Sequence, residues 1–285
     1  MASKVLSWPN GKRVAVAVNV MLETWSEGKA PSYSVHATSL KPGTVDLGGK
    51  AWSTYGGRVG VWRIIRTLDR WQVPCTFGVN AQCAEIYPEA VAQIVRSGHD
   101  IAAHGYTQDQ LLADMSPEEE RATIRRCIDL LGEKSGQRPA GWVSPVHAFT
   151  PRTVDFLVQE KLEWHADVTY TDLPHVIQTP YGVIVAVPTS DFSDNRVLRS
   201  SPRDLYDVYK GTFDYLYEHE PMGMLVFTLH CHFGGRPMII AVFDELMKYI
   251  AGYRDVWFVR NRELARWALE AGNEHTYASR FFTET

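Results

Sequence analysis

Short apolar runs alternate with amphipathic stretches along almost the whole chain, and that rhythm constrains the fold more than any other feature. Residues 13–20 (RVAVAVNV) are apolar and rich in valine, without the polar alternation of a half-solvated strand, which predicts a strand buried on both faces. Comparable runs recur at 75–80 (CTFGVN), 99–103, 183–187 (VIVAV), 224–230 (MLVFTLH) and 256–259 (VWFV). Helical patterns lie between them at 59–71, 88–96, 117–134, 151–160, 202–219, 238–249 and 262–270. Ser116 followed by Pro117 and Glu119 spells a helix start, because hydroxyl and carboxylate can satisfy reciprocal backbone N–H groups. Strands separated by helices predict an α/β fold with a parallel sheet, and the number of repeats predicts closure into one barrel over residues 1–285. A Gly-, Pro-, Ser- and Thr-rich stretch interrupts the rhythm and predicts a long active-site loop at about 24–54, with a hairpin excursion within 178–201 and a short tail at 272–285.

A formal net charge of -4 gives no basic excess to attract nucleic acid or an anionic membrane, so neither is an expected partner. The first ten residues carry no apolar run of signal length and no later run is long enough to span a bilayer, so a cytoplasmic protein is expected. Cys75, Cys83, Cys127 and Cys231 form no CxxC pair and are expected to be buried thiols. The 9 Trp and 13 Tyr leave room for a subunit interface, to which the aromatic-rich stretch 277–282 could contribute.

In a barrel of this kind the cleft is built at the C-terminal ends of the strands, so polar residues there are the candidates for chemistry. Glu23 and Trp25 follow the first run, where a carboxylate suits a general base or a metal ligand. His104 follows 99–103 and is followed by Gly105 and Tyr106, with Gln108 where a second histidine would complete an i, i+4 pair. His230 and His232 close the run at 224–230, and period 2 aims both imidazoles at one face. Trp142, Ser144 and His147 lie in GWVSPVHAFTPRT, and Tyr55 and Arg58 in the Tyr55-Gly56-Gly57-Arg58 turn. Arg58 either holds a substrate oxygen with its planar fork or pairs with Asp167, and Trp142 either lines the cleft or joins the core.

Taken in order, YGGRVGVWRIIRTL, GHDIAAHGYT, RPAGWVSP, DVTYTDLPH and TLHCHFGGRP resemble the polysaccharide deacetylase-like hydrolases, in the branch that includes metal-independent allantoinases and cyclic-imide hydrolases. The likeness runs over roughly 14–267. It implies a distorted (β/α) barrel of the polysaccharide deacetylase type with seven strands, a homo-oligomer such as a tetramer, and hydrolysis of a C–N bond in a linear or cyclic amide. Deacetylases of that family end the first strand in Asp-x-Asp, one acid being the base and the next a metal ligand; the matching residues here are Met21 and Glu23. Their His-x-x-x-His pair matches His104 and Gln108, so an amide stands where an imidazole would bind metal. Glu23, His104 and Gln108 would hold a divalent ion such as zinc only loosely, and no cofactor is expected.

The resemblance gives His230 the part of general acid. Glu23 or His104 would then orient and deprotonate water, His230 would protonate the leaving nitrogen, and a backbone N–H, Tyr106 or Arg58 would stabilise the carbonyl oxygen. Trp25, Tyr55, Arg58, Tyr106, Trp142, Ser144, His147 and His232 are the candidate substrate-binding residues. The expected activity is therefore general acid–base hydrolysis of a small amide, cyclic amide or imide, with little or no dependence on metal. Two rival readings are a metal-dependent N-deacetylase of an amino sugar and a non-catalytic small-molecule binding protein on the same fold. Convergence of Glu23, His104 and His230 on one cavity separates a hydrolase from a binder.

Overall fold

The computed structural model describes residues 6–36, 40–41 and 43–274. Its strands are β1 (Val14–Leu22), β2 (Cys75–Val79), β3 (Asp100–Ala103), β4 (Gly141–Trp142), β5 (Trp164–Val168), β6 (His175–Thr179), β7 (Gly182–Pro188), β8 (Gly223–His230) and β9 (Val256–Val259). Its helices are α1 (Leu47–Tyr55), α2 (Val61–Trp71), α3 (Cys83–Ile86), α4 (Pro88–Arg96), α5 (Pro117–Ser135), α6 (Thr153–Gln159), α7 (Pro202–His219), α8 (Pro237–Ala251) and α9 (Asn261–Ala271).

β1 is buried along its whole length, as its unbroken apolar run requires. β8 runs parallel to one edge of it from Val14 to Met21, and the other edge is shared between β9 over Val14–Ala17 and β2 over Val18–Leu22. The sheet path is β6-β7-β5-β4-β3-β2-β1-β8, with β9 attached to β1, and every pairing is parallel except the β6–β7 hairpin. This is a distorted (β/α) barrel: the sheet curls, and among the described residues no ladder joins its two ends.

Among the described residues nine strands form where seven were expected. The three strands beyond the six apolar runs of the sequence are not valine-rich: β4 has two residues, β5 reads WHADV, and β6 is the partly solvated arm of the hairpin. That hairpin spans His175 to Pro188, earlier than the excursion expected within 178–201. The interruption after β1 ends in α1 rather than continuing to residue 54, with Asp46 capping the helix through Gly49 N at 2.8 Å. α5 carries the anticipated capping box between Ser116 and Glu119. Residues 275–285, most of the expected tail, lie outside the described residues. No helix among the described residues is long and apolar enough to cross a membrane, and all four cysteines are buried and free.

Alternation sorts the sheet into two faces. Val14, Val16, Val18, Val20 and Leu22 pack under the helices, as do Leu225, Phe227, Leu229 and Cys231 of β8 and the loop after it. Ala15, Ala17, Met21, Met224 and Val226 fill the inner face. Continuing the same period carries Glu23, Thr228, His230 and His232 to the inner side, at the C-terminal mouth.

Candidate active site

Glu23, His104 and His230 meet in one cavity of about 410 Å³ at that mouth. Asn80, just past β2, holds the framework: its Oδ1 accepts the Thr24 N–H at 2.9 Å, and its Nδ2 donates to the His104 carbonyl. The fully buried Asn80 side chain thereby ties the loops after β1 and β3 together, so Glu23 and His104 come from distant segments yet share one scaffold.

His104 Nδ1 lies 2.8 Å from the Val143 carbonyl oxygen, which can only accept. The proton is thus on Nδ1, and in the neutral ring Nε2 presents a lone pair 3.5 Å from Glu23 Oε1. The other carboxylate oxygen of Glu23 lies 3.5 Å from His232 Nδ1. Burial alone would raise the Glu23 carboxyl, but His230, the contact with His104, and His232 outweigh it and hold the group at about 2.

His230 is backed by Asp194, whose Oδ1 lies 2.6 Å from Nδ1 while Oδ2 accepts the His230 backbone N–H at 2.8 Å. Burial opposes charge on this ring, yet Asp194 and Glu23 overcome it and raise His230 to about 9. His232 differs in kind. Burial lowers it to about 3 against the pull of Glu23, so it stays neutral, and its Nε2 lies 3.1 Å from the Tyr33 hydroxyl. Two imidazoles two residues apart thus differ in charge because His230 has Asp194 at 2.6 Å in addition to the pull of Glu23, whereas His232 has Glu23 alone at 3.5 Å and is opposed by His230 and Arg236.

The remaining sequence candidates separate. Ser144 and His147 line the cavity, but both are tied to buried Asp167: Ser144 Oγ donates to it at 2.8 Å, and His147 Nδ1 lies 3.3 Å from it. Arg58 is therefore not the partner of Asp167; with Trp25 it lines a second cavity of about 620 Å³ that shares Glu23 with the first. Besides Arg58 and Trp25, four more candidates do not line the main cavity. Trp142 lies in the core under the helices and donates its indole N–H to Ser144 Oγ at 3.0 Å. Tyr106 turns outward, donating to Glu85 at 2.8 Å beneath Arg126. Tyr55 receives an Arg63 N–H and stacks under Arg236. His232 stands behind the Glu23 carboxylate and braces it rather than reaching the cavity.

Sequence reasoning did not single out Asn80, Tyr33, Asp194 or Thr228. Thr228 alone carried a usable signal, since it precedes His230 by two residues on the inner face. Its hydroxyl lines the cavity, buried and without a hydrogen-bond partner.

The donors do not fit zinc. Glu23, His104 and Gln108 offer one carboxylate, one imidazole and one amide oxygen, and both carboxylate oxygens already face histidines. Among the described residues no group of three or more His, Cys, Asp or Glu could hold a metal ion.

Residues 46–164 match the polysaccharide deacetylase family. A peptidoglycan deacetylase of Helicobacter pylori is 21% identical over 252 residues, covering 74% of this chain and 84% of that protein. A crystal structure described as a probable polysaccharide deacetylase from Pseudomonas aeruginosa PAO1 superposes with a TM-score of 0.84 at 28% identity, covering 95% of this chain and 94% of that one. The crystal structure of Puue allantoinase gives 0.81 at 27% identity over 95% and 94% of the two chains. By class, then, this is a hydrolase of carbon–nitrogen bonds in non-peptide amides. Residues 46–164 carry the likeness to the polysaccharide deacetylase family, and the fold of nearly the whole chain finds a counterpart in the Pseudomonas aeruginosa structure.

Proposed function

We propose that the chain hydrolyses a cyclic amide or imide, in the manner of an allantoinase or imidase, by general acid–base catalysis without a metal. The observation that carries this reading is the pairing, across one cavity, of a carboxylate–imidazole couple, Glu23 and His104, with a carboxylate-backed imidazolium, His230. The likeness to an allantoinase supports the ring-opening form of the reaction. Met21 supports it too, since a thioether on the inner face beside Glu23 cannot serve as a carboxylate base.

Glu23, held ionised at about 2, is a weak base but a good anion for stabilising a neighbouring imidazolium. The base is therefore His104. Its Nε2 takes a proton from water as the water oxygen attacks the ring carbonyl carbon, and Glu23 stabilises the positive ring that results. The C–N bond then breaks as His230 passes the proton on its Nε2 to the leaving nitrogen. The products are a carboxylic acid and a protonated leaving nitrogen, an amine from a simple ring amide and a carboxamide or urea from an imide or ureide, still joined through the remains of the ring, and exchange with solvent resets both histidines.

Tyr106 and Arg58 are not available to the carbonyl oxygen, one turned outward and the other in the second cavity. Charge developing there falls to the His230 imidazolium and to Asn195 and Arg196 on the same wall. General acid–base assistance is worth about 10² to 10⁴-fold, enough for an activated ring amide and less adequate for an unstrained acetamide.

The test is a screen of hydantoins, cyclic imides, allantoin and N-acetyl sugars, each with and without exhaustive chelation. Turnover of a ring amide that survives chelation is the expected result. Turnover of N-acetyl sugars alone, abolished by chelator, would establish the metal-dependent deacetylase instead, and binding of a ring amide without turnover would establish the non-catalytic reading.

A further inference from the structure

Gln108 occupies the position that matches a metal-binding imidazole in the family the chain resembles, yet its surroundings do not prepare it for a metal. Its neighbours are fastened to the segment after β1: Thr107 Oγ1 lies 3.2 Å from Ser26 Oγ, Asp109 Oδ1 accepts the Ser26 N–H at 2.8 Å, and Gln110 Nε2 donates to Ser26 Oγ at 3.3 Å. The Gln108 backbone N–H donates to the Thr24 carbonyl at 2.8 Å. Only the Gln108 side chain is left over, and it enters the main cavity with Oε1 buried and without a hydrogen-bond partner. Leaving such a group unpaired is costly, and a ligand with the complementary edge would recover that cost.

A carboxamide presents an acceptor and a donor side by side in one plane. Its complement is a planar group whose N–H and C=O lie on the same side. A trans secondary amide holds them on opposite sides, and the cis form is strongly disfavoured in an open chain. A five- or six-membered ring containing –CO–NH–CO– holds them on the same side at no such cost. We propose that Gln108 is a specificity-determining residue whose amide pairs with the N–H and the unattacked carbonyl of a ring imide or ureide, leaving the other carbonyl to the water held by His104. This inference rests on the ring-amide reading above and narrows it to rings that carry an imide-type N–H. The buried hydroxyl of Thr228 is a further unpartnered group on the cavity wall and suits the polar rim of the same ring.

The experiment compares glutarimide with N-methylglutarimide, which keeps the carbonyls and loses the N–H, in the wild type, Gln108→Ala and the longer Gln108→Met. The wild type is expected to favour the N–H ring by about 10²-fold or more in kcat/KM. In both variants that preference should collapse to within a few-fold of one. The same ratio is read as dissociation constants by calorimetry, so that recognition is scored separately from turnover. A wild type that hydrolyses the ring while both variants keep its preference would overturn the role of Gln108 and leave the hydrolase reading intact. An inert wild type whose binding preference for the N–H ring depends on Gln108 would support the pairing and overturn the hydrolase reading. Neither binding nor turnover would overturn both.

Discussion

Asp194 Oδ1 stands 2.6 Å from His230 Nδ1, and the same carboxylate accepts the backbone N–H of His230, so the ring is both oriented and kept charged by one wholly buried group. The two residues are 36 apart in the chain, Asp194 in a short 3-10 turn (Asp194–Val197) after β7 and His230 at the end of β8. An imidazolium fixed in this way carries a proton ready for a leaving group at neutral pH.

Asp194→Asn keeps the shape of this support and removes its charge. With His230 raised to about 9, the alkaline limb of the wild-type pH–rate profile is expected near 9, with activity lost as pH rises through it. In the variant the raised pKa relaxes, so that limb should move to lower pH and kcat at pH 8 should fall by about 10-fold or more. A full pH profile of kcat checks it; a limb that stays near 9 would take Asp194 out of the role of charge support.

His104→Ala removes the proposed base and should lower kcat by about 10²–10⁴-fold. The cost to folding is modest, because the change forfeits a hydrogen bond to the Val143 carbonyl and leaves Glu23 with His232 on its other oxygen. His230→Ala is a less clean probe, since it strands the buried Asp194 with a backbone N–H as its remaining partner. Kinetics and urea denaturation measured together distinguish the two variants, and wild-type turnover in His104→Ala would move the base elsewhere.

Much of this arrangement can be read from the chain because it follows from period. Valine-rich β1 and β8 declare themselves as buried strands, and counting by two from their inner faces reaches Glu23 and His230. β4 and β5 escape such reading because a two-residue strand and a run with His and Asp take their identity from the neighbours they pair with. Asp194, Tyr33 and Asn80 escape for a related reason: each acts on a residue brought near only by folding, so no local spacing betrays it. Tyr106 and Trp142 mislead in the opposite sense, since aromatic rings beside candidate histidines pack elsewhere once strand direction is known.

Stability should peak near neutral pH. Burial holds His99, His165 and His175 below the ordinary 6.5 and His232 at about 3. As pH falls below 6.5 the unfolded chain takes up protons that the folded chain refuses, so stability drops. Glu23, held at about 2, adds a loss as pH falls from 4.5 through 2. His230, raised to about 9, contributes fully below 6.5 and loses its contribution as pH rises through 9. Urea midpoints measured from pH 5 to 9.5 should therefore decline on both sides, and a midpoint climbing steadily from 6.5 to 9 would contradict a charged His230.

Gly60→Ala should damage fold and site together. Gly60 ends the π-helical turn Gly56–Gly60 that leads from α1 into α2, and a Cβ there would run into the Cys231 carbonyl oxygen. A Cβ on Gly235 would in turn meet the Gly60 backbone, so the two segments touch main chain to main chain beside His232. Forcing them apart should cost about 1–3 kcal/mol and displace the brace on Glu23. A urea midpoint shift accompanied by lower kcat is expected; an unchanged midpoint would mean that the contact is looser than its geometry.

Gln108→His tests the origin of the site as well as its present chemistry. Glu23 and His104 already stand 3.5 Å apart across the place a cation would occupy, and the loop bearing residue 108 is fastened to Thr24 and Ser26. A new imidazole there completes a carboxylate and two nitrogen donors, the set that the present amide withholds from zinc. Zinc affinity measured by calorimetry should rise by at least about 10-fold, in proportion to the gain from exchanging an amide oxygen for an imidazole nitrogen. Hydrolysis of ring imides should fall at the same time, since a metal between Glu23 and His104 would claim the lone pair that activates water. Unchanged zinc binding would show that residue 108 does not reach the ligand position, and the match between Gln108 and the family's second histidine would have to be abandoned.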